Sequence, residues 1–136
     1  MITAVDTRVL FDVLLVDPKH GRPPPKRSGL ACRWAALVVC DVVWAETAAV
    51  FDEEENFVER MGRLAIRLMP STMGALWLAG QRWRALRAGG GGRDRVVADF
   101  MIAAHASKQC DRLLTRDRGF AQACFDGLVL IDPSRG

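Results

Sequence analysis

The sequence is poor in the features that mark the commoner enzyme chemistries. Its two histidines, His20 and His105, have no partner at metal-ligand or nucleophile spacing. Its four cysteines, Cys32, Cys40, Cys110 and Cys124, form no CxxC and no close Cys/His pairing, which argues against a zinc site or a redox dithiol and leaves buried free thiols as the expectation. There is no Gly-x-Ser-x-Gly nucleophile motif. The run Gly89 to Gly92 lacks the Lys-Ser/Thr of a phosphate-binding loop and follows a helical pattern instead of a strand, so it reads as a flexible connector. No apolar stretch approaches the roughly 20 residues needed to span a bilayer. No secretory leader precedes the first strand-like run, so a cytoplasmic protein that does not associate with membranes is expected.

What is present suits one compact domain over residues 1–136, half of it apolar and large enough for a single core. The formal net charge is +3. Residues 1–70 carry 9 basic and 10 acidic side chains and residues 71–136 carry 10 and 6, so the surplus lies in the second half and points to a mildly basic face.

Residues 2–5, Ile-Thr-Ala-Val, are too short for a helix and partly β-branched, which predicts a buried strand with Asp6 at its carboxyl tip. Helical spacing from Val9 to Val16 follows, with Arg8 and Asp12 as an i,i+4 pair, ending near Asp17-Pro18. Residues 19–29, with Pro23-Pro24-Pro25 and several basic side chains, predict an exposed loop able to touch a polyanion. A short helix near 30–36 leads to a second buried strand, Leu37 to Cys40.

Asp41 suits an N-cap for a helix over 42–51, on which Glu46 neighbours Val42, Val43, Ala49 and Val50. A carboxylate on such an apolar face has to be neutral, paired or metal-bound. Asp52 to Glu55 reads as a solvated loop or helix start, 57–63 as a helix and 65–69 as a strand. Ser71 suits an N-cap for a long helix to Arg87, whose wide apolar surface could serve an oligomer interface. The next helix, over 93–108, carries Asp99 among Arg95, Val96, Ile102 and Ala103, with an Arg95 ion pair as the plain structural alternative. Strands over 112–115 and 128–131 flank a short helix over 120–125, and Asp117 follows the first of them as Asp6 follows the opening strand.

Asp6, Glu46, Asp99 and Asp117 are therefore candidates to converge at one sheet edge. Acids gathered without basic partners repel one another unless a hard cation holds them, and magnesium or manganese suits an all-oxygen donor set. Such ions polarise a phosphodiester and generate a nucleophile from water, which makes a metal-dependent nuclease the natural reading.

The fragments Asp6-Thr7 after an opening strand, Ala45-Glu46 in the second long helix, Ala98-Asp99-Phe100-Met101-Ile102-Ala103-Ala104-His105-Ala106 and Leu114-Thr115-Arg116-Asp117-Arg118-Gly119-Phe120, in that order, resemble the motifs of PIN domains, specifically bacterial VapC-type toxins. The resemblance runs from end to end and implies a three-layer α/β/α fold with a central, mostly parallel sheet of four to five strands. It implies catalysis by Asp6, Glu46, Asp99 and Asp117, with Mg2+ (or Mn2+) held by Asp6, Asp99 and Asp117 and hydroxyl support from Thr7 and Thr115. It further implies endoribonuclease activity on structured RNA of the tRNA or rRNA class, inhibition by a cognate VapB-type antitoxin, and a homodimer. Asp41 stays open as an alternative to Glu46.

Arg116 and Arg118 flank Asp117 and are candidates to touch substrate or a partner, since RNA binding needs neutralised backbone charge. Trp34, Trp44, Trp77 and Trp83 lie among apolar residues and are expected in core or dimer packing, not base stacking. Two other functions fit less well. One is a catalytically silent module of the same fold that binds RNA or protein. The other is a phosphoryl-transfer domain, but Asp6-Thr7-Arg8 lacks the second aspartate of a phosphatase and no late strand-end lysine suits a receiver.

Overall fold

The computed structural model describes residues 1–15, 36–90 and 95–133. The basic, proline-rich 19–29 stretch, the short helix expected up to residue 36, Cys32 and Trp34 lie outside the described residues.

Strand β1, Ile2–Val5, is followed at once by helix α1, Thr7–Leu15. After the undescribed segment come β2, Ala36–Val39, α2, Asp41–Ala48, and α3, Glu54–Arg63. Then follow β3, Ile66–Leu68, α4, Met73–Ala88, α5, Val97–Gln109, β4, Arg112–Leu114, α6, Arg118–Cys124, and β5, Leu130–Ile131. The sheet order is β3-β2-β1-β4-β5, and every pairing is parallel. The central sheet is flanked by helices, as the sequence pattern predicts.

A parallel sheet covered in this way needs apolar strands. Thr3, Ala4 and Val5 are buried, as are Leu37, Val38 and Val39 and then Leu113 and Leu114. The lone hydroxyl in that set, on Thr3, accepts from Arg112 Nε at 2.8 Å, so burying it leaves no unmet polar atom. Helix α1 adds Val9, Leu10 and Leu14 to this core, and α3 adds Phe57 and Met61. Full burial of each such side chain contributes about 1.5–3 kcal/mol. Trp44 packs edge-on against Phe57 with centroids 4.9 Å apart, which joins α2 to α3. Arg60 ties α3 to the end of α1 by donating to the Leu14 carbonyl at 3.2 Å. A second cluster, centred on Phe100, holds α4, α5 and α6 together through Ala79, Ala103, Ala104 and Phe125.

Several local expectations change. Cys40, not Asp41, is the N-cap of α2. Asp41 is the first helical residue and accepts from the Ser71 amide at 3.3 Å, a position a negative charge favours because it faces the positive end of the helix dipole. Thr72 instead of Ser71 caps α4, its Oγ1 accepting from the Ala75 amide at 3.1 Å. Helix α5 starts at Val97, not residue 93. Asp12 pairs with Arg116 at 3.3 Å rather than with Arg8, because β4 brings Arg116 alongside α1. Trp83 is half-buried in the second cluster, whereas Trp77 is 70% exposed.

Candidate active site

In an open α/β sheet the crevice forms at the carboxyl ends of the strands, where the strand order reverses. Here the order steps from β1 to β2 to β3 and then returns to the other side of β1 for β4. The reversal point therefore lies between the tips of β1 and β4. Register places Val5 beside Leu114, so Asp6 and Thr115 are the next residues on each chain.

Asp6 is held there by its backbone on both sides. Its amide donates to the Leu114 carbonyl at 3.0 Å, and its own carbonyl accepts from Leu10 at 3.2 Å as the first bond of α1. Strand end and helix start meet on one residue, which fixes the direction in which the Asp6 side chain leaves the backbone. Thr115 Oγ1 donates to Asp6 Oδ2 at 2.8 Å and accepts from the Asp117 amide at 3.0 Å. That single hydroxyl, on a residue 1% exposed, joins two of the expected acids.

Asp99 arrives from α5. Three residues beyond the Val96 N-cap, it accepts from the Val96 amide at 3.3 Å, a position that suits an anion in the first turn of a helix. Asp6, Asp99, Thr115 and Asp117 line one pocket of about 280 Å³, counting space open to solvent, with Ile102, Ala103, Leu113, Phe120 and Ala121 as its apolar wall. Burial raises the Asp6 carboxyl above its ordinary range, the Thr115 and Thr7 hydrogen bonds oppose this, and the charges of Asp99 and Asp117 raise it further.

Glu46 does not line this pocket. The expected apolar surroundings are not what holds it: Glu46 is exposed, and its Oε1 accepts from Thr7 Oγ1 at 2.8 Å. Thr7, itself 7% exposed, follows Asp6 directly and so links Glu46 to the pocket through one residue. Asp41 is bonded to Ser71, on the far side of α2's start, and takes no part in lining the pocket.

Arg95, the plain ion-pair alternative for Asp99, meets an acid that the sequence pattern does not point to. It pairs through Nη1 with Asp117 Oδ2, and its guanidinium lies 4.5 Å from the centroid of the Phe120 ring. The expectation of acids without a basic partner therefore fails at Asp117. No short-range spacing signals a pair 22 residues apart, although Asp117 and Phe120 sit one helical turn apart and offer an acid and a ring on one side of α6. Arg116 is engaged with Asp12, and Arg118 is half-buried.

Among the described residues, no three His, Cys, Asp or Glu side chains are gathered closely enough to hold a metal ion as they stand. In donor chemistry the pocket fits a hard divalent cation nonetheless: its polar lining is carboxylate and hydroxyl oxygen only, and Asp6 is a shielded carboxylate facing the charge of two others. Cys40, Cys110 and Cys124 are free thiols. His105 Nδ1 lies 3.9 Å from Cys110 Sγ, a nearness the sequence reading did not foresee.

Residues 3–126 match the family model of the PIN domain. The chain belongs to the PIN domain family. The same fold recurs in solved structures, each at low sequence identity. VapBC-1 from nontypeable Haemophilus influenzae aligns with a TM-score of 0.63 at 18% identity, over 97% of this chain and 98% of that one. FitAcB from Neisseria gonorrhoeae aligns with a TM-score of 0.62 at 18% identity over 100% of both. VapBC2 from Rickettsia felis, bound to a DNA fragment from its promoter, aligns with a TM-score of 0.61 at 15% identity over 96% and 98%. No curated protein sequence matches the chain. PIN domains are in general nucleases, and the acidic pocket of this PIN domain lies where the fold's strand order reverses.

Proposed function

We propose that this PIN domain is the toxin of a VapBC-like pair: a metal-dependent endoribonuclease of structured RNA, of the tRNA or rRNA class, held inactive by a cognate antitoxin. The observation that carries this reading is the meeting of Asp6, Asp99 and Asp117 around one pocket, with Thr115 bonded to two of them. Asp6, Asp99 and Asp117 are the residues that would hold Mg2+ or Mn2+. When bound, such an ion polarises the scissile phosphodiester and lowers the pKa of a water molecule.

The chain's own residues do the rest. Thr115 orients the Asp6 carboxylate, and its hydrogen bond partly offsets the upward shift that burial imposes on it. Thr7 holds Glu46 by a hydrogen bond, which supports a role for Glu46 as a proton acceptor. The wall of Ile102, Leu113 and Phe120 limits water on the opposite side. Arg118, the first residue of α6 beside Asp117, is the candidate to meet an RNA phosphate. The antitoxin reading is supported by the VapBC and FitAcB neighbours. A homodimer is supported by α4, which leaves Met73 88% and Trp77 70% exposed.

The deciding experiment incubates purified protein with total RNA in Mg2+ or Mn2+, beside Asp6→Asn. Wild type cleaves at defined positions and Asp6→Asn does not, while both show the same circular dichroism. Equal cleavage by the two proteins overturns the reading. One observation favours a second reading, a silent RNA- or protein-binding module: Asp117 is already paired with Arg95. That reading predicts no heat of Mn2+ binding by calorimetry.

A further inference from the structure

The Arg95–Asp117 pair is unlike the other ion pairs described. Glu59–Arg63 and Asp12–Arg116 bridge side chains that are each half or more exposed. Arg95 and Asp117 are 29% and 37% exposed, and the pair stands on an aromatic base. The guanidinium lies over Phe120, and Phe120 packs edge-on against Phe100 with centroids 5.0 Å apart. Phe100 is fully buried, so the ring beneath Arg95 is anchored in the core of the second cluster.

A guanidinium has donors but no acceptor, so it cannot join a cation's donor set. An oxygen that accepts from Arg95 is closed to a metal ion on that side, and a positive charge there weakens the attraction of Asp6 and Asp99 for a second cation. Removing the guanidinium without replacing it would leave three like charges around one pocket, a state that burial at Asp6 already makes costly.

We infer that Arg95 is the resident counter-cation of the acidic pocket, and that it competes with a divalent cation for Asp117. This rests on the nuclease reading above. In the cation-free protein Arg95 neutralises part of the pocket and holds the start of α5 against α6. On cation binding the guanidinium leaves Asp117 Oδ2. Cation affinity is thereby reduced by the work of displacing an internal ion, and the junction just before Val97 is coupled to occupancy of the site.

The test is Mn2+ titration, followed by electron paramagnetic resonance and calorimetry, of wild type, Arg95→Gln, Asp117→Asn and the double variant, with thermal unfolding of each in the presence and absence of Mn2+. Arg95→Gln is expected to bind Mn2+ about tenfold more tightly than wild type, the effect of removing roughly 1.4 kcal/mol of competition. It should unfold at a lower temperature without Mn2+ and recover more than wild type when Mn2+ is added. In the Asp117→Asn background, Arg95→Gln should leave Mn2+ affinity unchanged, because the coupling runs through that carboxylate.

Equal or weaker binding by Arg95→Gln overturns the inference and leaves the nuclease reading standing. The same tightening in the Asp117→Asn background also overturns it, since that points to a general field effect. Absence of Mn2+ binding by wild type and Arg95→Gln alike overturns both the inference and the metal-dependent reading.

Discussion

The Thr115 hydroxyl donates to Asp6 Oδ2 at 2.8 Å across two strands whose residues are 109 positions apart in the chain. It accepts from the Asp117 amide through the same oxygen, so one side chain sets the spacing of two acids. The pocket is built from backbone register first and side-chain choice second.

Asp6→Asn should stabilise the protein as well as silence it. Burial holds the Asp6 carboxyl above its ordinary range, so the folded state favours the protonated form more than the unfolded state does, and ionisation at neutral pH costs stability. Asparagine removes that cost and still accepts from Thr115. The variant's melting temperature is expected to exceed wild type by a few degrees near pH 7. The difference shrinks as pH falls through the folded pKa and is gone below the unfolded value, as melts at several pH values will show.

Thr7→Val keeps the shape of a 7%-exposed side chain and removes the donor to Glu46. Loss of one partly buried hydrogen bond costs about 1 kcal/mol of stability, a small change by urea unfolding. If Thr7 positions Glu46 for proton transfer, the RNA cleavage rate falls by about tenfold or more with little change in RNA affinity. A cleavage rate unchanged in Thr7→Val removes Glu46 from the mechanism.

Acid sensitivity should trace partly to His105. Burial lowers its pKa below the ordinary imidazole value, while the Met69 backbone and the Asp41 charge oppose the shift. The folded state thus holds the ring neutral, and the unfolded state gains a proton first as pH falls. Stability contributed by His105 is present above about pH 6.5 and declines below it. His105→Leu should flatten the fall in unfolding free energy between about pH 7 and 5, measured by denaturant titration.

Ala65 adopts φ 57° just after the end of α3, where its amide bonds to the Gly62 carbonyl at 3.0 Å. A left-handed residue at that place favours glycine. Ala65→Gly is exposed and fills no space, so relief of backbone strain should stabilise the fold by about 0.5–1 kcal/mol, read from the shift in urea midpoint at constant slope.

Much of this arrangement was legible before folding was considered. Residues 2–5 and 37–40 read as strands because buried parallel strands need unbroken apolar runs, and Asp6 and Asp117 stood out as charges ending such runs. Asp99 was found because a carboxylate early in an apolar helix is rare. Caps were misassigned at Asp41 and Ser71 by one residue each, since neighbouring polar residues compete for a role that only the local φ and ψ decide. The partner of Arg95 was missed for another reason. Helix spacing brings Asp99 within reach of it, but the stacking surface of Phe120 comes from a distant element and settles the choice.

Strand order has a consequence for how the chain comes to be folded. The strand nearest the start of the sequence occupies the middle of the sheet, and one of its two neighbours is contributed by residues 112–114. During synthesis β1 can pair with β2 early, yet its other edge stays open until residues 112–114 have been made. The acidic pocket lies on that late edge, so nascent chains cut off before β4 lack the pocket, and a ribosome making this protein meets an assembled pocket only after Asp117 has been added.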